Sequence, residues 1–509
     1  MPKIFYVTFC ACFLLFGVLF SFSDTKTYLG AATEGLLYNN VAKNVKILSK
    51  EFVSIMLDST TIEDQKELNK KFGLGCANMG FPVYDSVRNK SWIVFGDCFG
   101  GATNKWEKYY RCNAMLGFDN DIPISETDTE KCRNRFDCFY SKEGIMTVSE
   151  HVARVEAGLG DGAVGYNDWD SHAIIHGHYK NIKFVNKYGD EATESSKIPT
   201  GLIELNGNIY MFYFSKATDV GKADRMNYGG CVKSTDGGET WTKVNSLSWA
   251  NHSKGTNSAF YETDEDGNIV VGNTAEKIQR LLNEDINNET IPGLNIDIHE
   301  HEGYFFTQIC PIDGKDGYIY LLGEGGYRTT GIKLARVRPN NFEDFYQYEY
   351  FLGFSSRGKP IWQKGVAGLK KLNNKDNTGY IMGSDSRTDP NSRCSELTCM
   401  YNEYLGKWMV SYLRSKENGK GGIMYRVADN IWGPYSDPEV LFSYSDAKKL
   451  LPKDRDGNAI LTIYGGIINE HWVDNGGKTI YTLIAQWKKA KDDTDYIVYR
   501  SSIVKIDFA

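Results

Sequence analysis

Asp97 closes the apolar run Trp92-Ile93-Val94-Phe95-Gly96 and is followed by Cys98-Phe99-Gly100-Gly101, an awkward place for a charge that has no task. Glu324 and Glu396 fall at comparable points of two later segments, and Asn78, Arg414 and Gln486 complete a polar set. Two carboxylates facing one cavity are the minimum for cleaving a glycosidic bond. One protonates the leaving oxygen while the other acts as nucleophile or activates water. The plainer alternative is that each carboxylate caps a turn or pairs with an arginine.

Bringing residues so far apart in sequence to one place requires a repeat. Five times a turn rich in Gly, Asn, Asp or Lys is followed by an aromatic and an apolar run: Asn89 to Asp97, Asn206 to Ser215, Lys315 to Gly325, Leu405 to Arg414 and Gly476 to Trp487. Each reads as a β-hairpin, with Trp92, Tyr210, Tyr320, Trp408 and Tyr481 marking successive units. Repeated antiparallel sheets must hide their edges, and radial repetition about an axis does so. The expected fold is all-β, a five-bladed β-propeller over 72–509 behind a short helical extension over 24–71. In that extension Leu37, Val41, Val45, Leu48, Phe52, Ile55 and Met56 recur at helical spacing. The first strand of each blade lines the central funnel, which nominates Gly75 to Gly80, Ile198 to Gly201, Phe306 to Ile309, Cys394 to Leu397 and Tyr464 to Gly466. Pairing through each turn adds Asp97 and Cys98 beside Asn78, and Ser215, Glu324, Arg414 and Gln486 elsewhere.

A formal net charge of −7 leaves no basic surplus, which argues against nucleic acid as a partner. Aromatic content of 13% supplies rings for packing between blades and for stacking on sugars. Residues 1–23 carry an apolar run from Ile4 to Phe22, a signal peptide cleaved before Asp24 or a retained anchor. The chain is therefore expected to be secreted or displayed on a surface, touching a membrane only through that run. Sequons at Asn89, Asn251 and Asn288 agree with such a glycoprotein. Beyond the leader, Cys132 with Cys138 and Cys394 with Cys399 are spaced to close small disulfide loops. No histidine cluster accompanies them, so neither a metal nor a cofactor is expected. Lys233 to Trp241 fits the Asp-box, S-x-D-x-G-x-T-W, found at propeller hairpin turns. There Asp236 accepts backbone N–H bonds and Trp241 plugs between strands, a structural task.

Asn78-Met79-Gly80-Phe81-Pro82 and Trp92-Ile93-Val94-Phe95-Gly96-Asp97-Cys98-Phe99 resemble the T-D-L-G-x-P and W-x-L-F-G-D-T-F motifs of a family long catalogued as a domain of unknown function, whose bacterial members are endo-D-arabinanases. The likeness continues through Arg111-Cys112-Asn113, Met226-Asn227-Tyr228, Gly323 to Arg328, Ser395-Glu396-Leu397, Tyr464-Gly465-Gly466 and Gln486-Trp487. It implies a propeller glycoside hydrolase acting on a furanoside-containing glycan, with two blade-one aspartates carrying the chemistry. Asp97 fills the second of those positions, but Asn78 stands at the first and Cys98 replaces the neighbouring Thr. An amide transfers no proton, so either Glu396, or an acidic residue of an insertion such as Asp168 or Asp170, takes over, or the site only binds. The first reading pairs Asp97 with Glu396 as catalytic groups and gives sugar contacts to Asn78, Arg111, Asn113, Asn227, Arg328, Tyr464, Gln486 and Trp487. The second is a silent propeller that holds a glycan or a protein partner.

Overall fold

Each turn is built from the residue type its backbone requires. Asn206 and Gly207 both lie in the left-handed region, at φ 55° and 80°, and join strands paired at Leu205 and Asn208. Asn89, Lys315 and Asn475 take the same conformation in three of the other turns. The computed structural model of the chain describes residues 45–58, 60–99, 110–119, 135–159, 167–175, 177, 184–185, 191–218, 226–250, 303–372, 379–383, 393–417, 420–488 and 498–509. The leader, Leu37, Val41, Cys132 and the sequons at Asn251 and Asn288 lie outside the described residues.

These hairpins grow into five antiparallel sheets, the five blades of a propeller. Blade 1 starts with Cys76–Asp85 and Lys90–Phe99, blade 2 with Glu191–Leu205 and Asn208–Thr218, and blade 3 with Gln308–Asp313 and Ile319–Glu324. Blade 4 starts with Ser395–Asn402 and Lys407–Glu417, and blade 5 with Ile463–Ile467 and Thr479–Lys488. The first strand of each blade lies against that of the next, and the fifth against the first. Hydroxyls stitch these inner strands together: Thr200 Oγ1 donates to Ile309 O at 2.8 Å, and Thr398 Oγ1 accepts from Ile468 N at 3.1 Å.

The ring is closed by a strand the sequence pattern conceals. Ile47–Leu57 is extended, pairing antiparallel with Val498–Phe508 as the outer strand of blade 5. The helix expected over this stretch is thus corrected. Three register shifts, at Ile47/Ser49, Phe52/Ser54 and Ile55/Leu57, each move the apolar side chains across faces. The alternation that marks a strand is thereby lost and a helical spacing imitated. The helix lies further on, at Ile62–Phe72. Thr61 caps it by accepting from Asp64 N at 3.0 Å, acidic residues fill its first turn and lysines its last, and Gly73 ends it at φ 62°.

The repeat-marking aromatics Trp92, Tyr210, Tyr320, Trp408 and Tyr481 are all buried between blades. Complete burial of one such side chain contributes about 1.5–3 kcal/mol. The ring of Trp92 lies where a Cβ on Gly117 would stand, 2.3 Å away, so that position of the third strand has room only for glycine. Cys98, Cys138, Cys231, Cys310, Cys394 and Cys399 are buried free thiols. This corrects the disulfide expected between Cys394 and Cys399. Five residues along extended chain separate them by about 16 Å, far beyond the roughly 7 Å that a disulfide can span.

Candidate active site

The first strands all begin, and the second strands all end, at the same end of the axis, here called the upper rim. Among the described residues, besides the four turn residues, four non-glycine residues have left-handed backbone: Met79 at φ 59°, Asp97 at 42°, Arg328 at 58° and Glu396 at 48°. All four lie at the upper rim, and three of them are charged. Left-handed backbone costs such side chains about 1–3 kcal/mol each and persists where the surroundings impose it. The imposing features are bulges. Pairing skips between Cys76 and Asn78 and again between Asn78 and Phe81 in blade 1, and between Ser395 and Thr398 in blade 4. Asn78 consequently faces Gly96 rather than Cys98, and Asp97 is turned out of the ladder.

Asp97 is buried to 7% exposure. Its Oδ1 accepts from Tyr110 Oη at 2.5 Å and from Ser196 Oγ at 2.8 Å, while Lys216 Nζ stands 3.5 Å from Oδ2. Burial, and then the charge of Asp97, push the Tyr110 phenol well above its usual range, so it remains a donor. Cys98 beside Asp97 is completely buried, and burial pushes its thiol well above the ordinary value, which removes it as a nucleophile. Asn78 accepts a short hydrogen bond from Tyr464 Oη, which links blades 1 and 5. Burial also keeps Tyr464 a neutral donor.

Across the rim, Arg328 reaches from the loop after the second strand of blade 3 to Glu396 of blade 4. Its Nε lies 3.0 Å from Glu396 Oε1, and Nη2 hydrogen bonds to the same oxygen. The guanidinium lies over the rings of Tyr327 and Tyr464, 4.9 and 5.8 Å from their centroids. Glu396 Oε2 is buried with no hydrogen-bond partner, as is Trp487 Nε1. Trp487 pairs along the ladder with Tyr499, whose ring stacks on Phe99 with centroids 5.8 Å apart.

The upper rim therefore holds Asn78, Asp97, Arg328, Glu396, Tyr464 and Trp487. Arg111 lies opposite Cys98, and its charge is felt by Asp170. Asn113 and Gln486 are present but occupied. The Asn113 amide donates to Ile175 O and Lys197 O at 2.9 and 3.1 Å and accepts from Ile174 N at 2.7 Å. Gln486 donates to Ile460 O at 2.8 Å and accepts from Arg500. Asn227 lies on the third strand of blade 2, its side chain outside the described residues. Neither insertion aspartate joins Asp97 in its hydrogen bonds. Asp168 is exposed and pairs with Lys142, and Asp170 accepts from His151 Nε2 at 2.7 Å. Tyr110, Ser196, Lys216 and Tyr499 are further members that sequence reasoning passed over. Tyr499 could have been found by carrying the ladder from Trp487 to the next strand, whereas Lys216 gives no signal.

The Asp-box behaves as a turn device at the opposite end. Asp236 accepts from Thr240 N at 2.9 Å and from Ser234 Oγ at 2.7 Å, and Trp241 is buried. Among the described residues no group of three or more His, Cys, Asp or Glu side chains is placed to hold a metal ion, and no helix is long and apolar enough to cross a membrane.

The sequence profile of a family described as a domain of unknown function (DUF4185) matches residues 64–504. No curated protein sequence matches the chain. Solved structures that are similar include a Bacteroides ovatus protein assigned provisionally as a hydrolase, at 10% identity and TM-score 0.46, covering 86% of this chain and 89% of that one. An α-L-arabinofuranosidase from Podospora anserina matches at 11% identity and TM-score 0.36, over 86% and 92% of the two chains. A family 117 glycoside hydrolase from Zobellia galactanivorans matches at 10% identity and TM-score 0.35, over 86% of each. None of these carries a residue role across to this chain.

Proposed function

We propose, from the premise that this chain belongs to the DUF4185 family, that it is a glycoside hydrolase cleaving a furanoside-containing glycan at the upper rim. The observation that carries the proposal is the convergence of Asp97 and Glu396, each in left-handed backbone, at the same end of the axis. Asp97 accepts two hydrogen bonds and faces an ammonium, surroundings suited to attack on the anomeric carbon or to removing a proton from water. Glu396 keeps Oε2 unengaged, the oxygen that would serve as the second carboxylate oxygen of the pair. Arg328 fixes the other oxygen of that carboxyl. Trp487 offers a ring face and an unpartnered N–H to a sugar, and Asn78 and Arg111 flank it as further sugar contacts. The leader implies delivery to the exterior or the cell surface.

One observation favours the second reading, a propeller that binds a glycan or protein without turning it over. Asn78 stands where the resemblance puts an aspartate, and its carbonyl oxygen is taken by Tyr464. The test is release of reducing ends from arabinans and other glycans by the chain from Asp24 onward, with Asp97→Asn and Asn78→Asp alongside. Hydrolysis that falls about 10²-fold or more in Asp97→Asn and rises at least about tenfold in Asn78→Asp is expected. No hydrolysis by either the parent or Asn78→Asp, with glycan binding retained, would establish the binding propeller instead.

A further inference from the structure

Glu324 ends the second strand of blade 3, opposite Gln308, and is completely buried. Neither of its carboxyl oxygens has a hydrogen-bond partner, nor has the neighbouring Glu396 Oε2. The backbone N–H groups of Thr329 and Arg328 and the Arg328 charge favour its ionised form, but burial and the charge of Glu396 outweigh them. Arg328, the cation whose charge Glu324 feels, is committed to Glu396 through both Nε and Nη2. Other titratable groups at this corner include the buried thiol of Cys394, the arginines Arg414 and Arg426 whose charge that thiol feels, and Tyr327, Tyr444 and Tyr464 around Arg328 and Glu396. A bare carboxylate here would be a buried charge with no partner, which costs several kcal/mol.

We propose that Glu324 keeps its proton at neutral pH, so that Glu324 and Glu396 together carry a single negative charge, balanced by Arg328. Burial first, and the charge of Glu396 second, hold the Glu324 carboxyl well above the usual range. The other shifted carboxyls among the described residues, such as Asp170, Asp236 and Asp446, all move down. Glu324 is completely buried, so it works as a positioning residue through its neighbour. Losing its proton would place a second negative charge beside Glu396 and draw Arg328 away from Oε1. That consequence for turnover rests on the hydrolase reading of Glu396; the proton itself does not.

The test uses the mature chain and Glu324→Gln, which keeps the shape of the neutral acid. Infrared spectra at neutral pH are expected to contain a protonated-carboxyl C=O band that Glu324→Gln lacks. Denaturant unfolding supplies a second readout. A folded-state value above the unfolded one gives stability that is full below the ordinary glutamate range and is lost as pH rises towards the folded value. The unfolding constant of the parent should therefore climb roughly tenfold per pH unit relative to Glu324→Gln across that window. No band in the parent, a band retained in Glu324→Gln, or a ratio independent of pH overturns the proposal. If Glu324→Gln does not fold, the parent's band still decides, its absence being fatal. If glycan hydrolysis is measurable, Glu324→Gln should hold its rate to higher pH than the parent. Absence of hydrolysis in both chains defeats the hydrolase reading and leaves the band to judge the proton.

Discussion

The two ends of the propeller use the same backbone conformation for opposite purposes. At the lower end it is taken by Asn89, Asn206, Lys315 and Asn475, in turns where asparagine tolerates it. Most of the turn polar groups there close on one another, Trp92 Nε1 beside the blade-1 turn being an exception. Arg88 of blade 1 donates to Gly207 O and Thr235 O of blade 2 at 3.0 and 3.1 Å, and Asn402 of blade 4 donates to Gly477 O of blade 5 at 2.8 Å. At the upper rim the conformation falls on Met79, Asp97, Arg328 and Glu396, while both oxygens of Glu324, Glu396 Oε2 and Trp487 Nε1 have no partner. Buried polar groups are normally satisfied, and where they are not, a task beyond stability is the usual reason. The lower end mainly holds the ring together; the upper end carries most of the left-handed charged residues and several unmet hydrogen bonds.

Removing Arg328 from the upper rim should cost more than any change in a lower turn. Arg328→Ala leaves Glu396, 6% exposed, without its ion pair. Breaking a buried pair from one side typically costs 3–5 kcal/mol, and the 30% exposure of the Arg328 side chain moderates this to about 3 kcal/mol. Denaturant unfolding checks the figure, and a loss below about 1 kcal/mol would show that the rim pair is a surface contact. The second effect concerns the brace behind the rim of blade 1. There His151 lies 2.9 Å through Nδ1 from Lys70 O and 2.7 Å through Nε2 from Asp170. Burial pushes the Asp170 carboxyl up, but the hydrogen bond from His151, the Asn167 N–H and the charge of Arg111 outweigh it and hold it below the usual range. A depressed folded value contributes stability that is present above the unfolded value and lost as pH falls through the folded one. Asp170→Asn should therefore cost about 2 kcal/mol at neutral pH, with the gap from the parent closing in acid. Unfolding curves from pH 7 downward that stay parallel would remove the brace.

How far this contrast could be read from sequence depends on how local its causes are. Trp92, Tyr210, Tyr320, Trp408 and Tyr481 mark the blades because a turn and the strand after it are adjacent in the chain. The same locality put Gln308 opposite Glu324 and Ile463 opposite Gln486. Ile47–Leu57 was hidden because its partner strand, Val498–Phe508, is at the other end of the chain and three register shifts scramble its pattern. Asn113 and Gln486 sit in the motifs that suggest sugar contacts. Their amides nonetheless serve the backbone carbonyls of Ile175, Lys197 and Ile460, which no spacing rule connects to them. The Asp97 register slipped because a bulge is a tertiary event: an inner strand bends to meet its neighbour, and the sequence of the hairpin alone does not record it.

The smallest effect probes the lower end directly. Asn206 is exposed, lies at φ 55°, and forms with Gly207 a two-residue turn whose mirror-image geometry matches the twist of the flanking strands. Asn206→Gly accepts the conformation freely but gives the unfolded chain more freedom, so the two terms nearly cancel and stability should change by less than about 0.5 kcal/mol. Asn206→Ala places a Cβ in the left-handed region without a short polar side chain to compensate, and should cost about 1 kcal/mol. Neither change should alter glycan binding or turnover at the far end of the axis. If Asn206→Ala weakened either by more than it shifts the unfolding equilibrium, the lower turns would be coupled to the rim, and the division between an end that holds the ring and an end that works would fail.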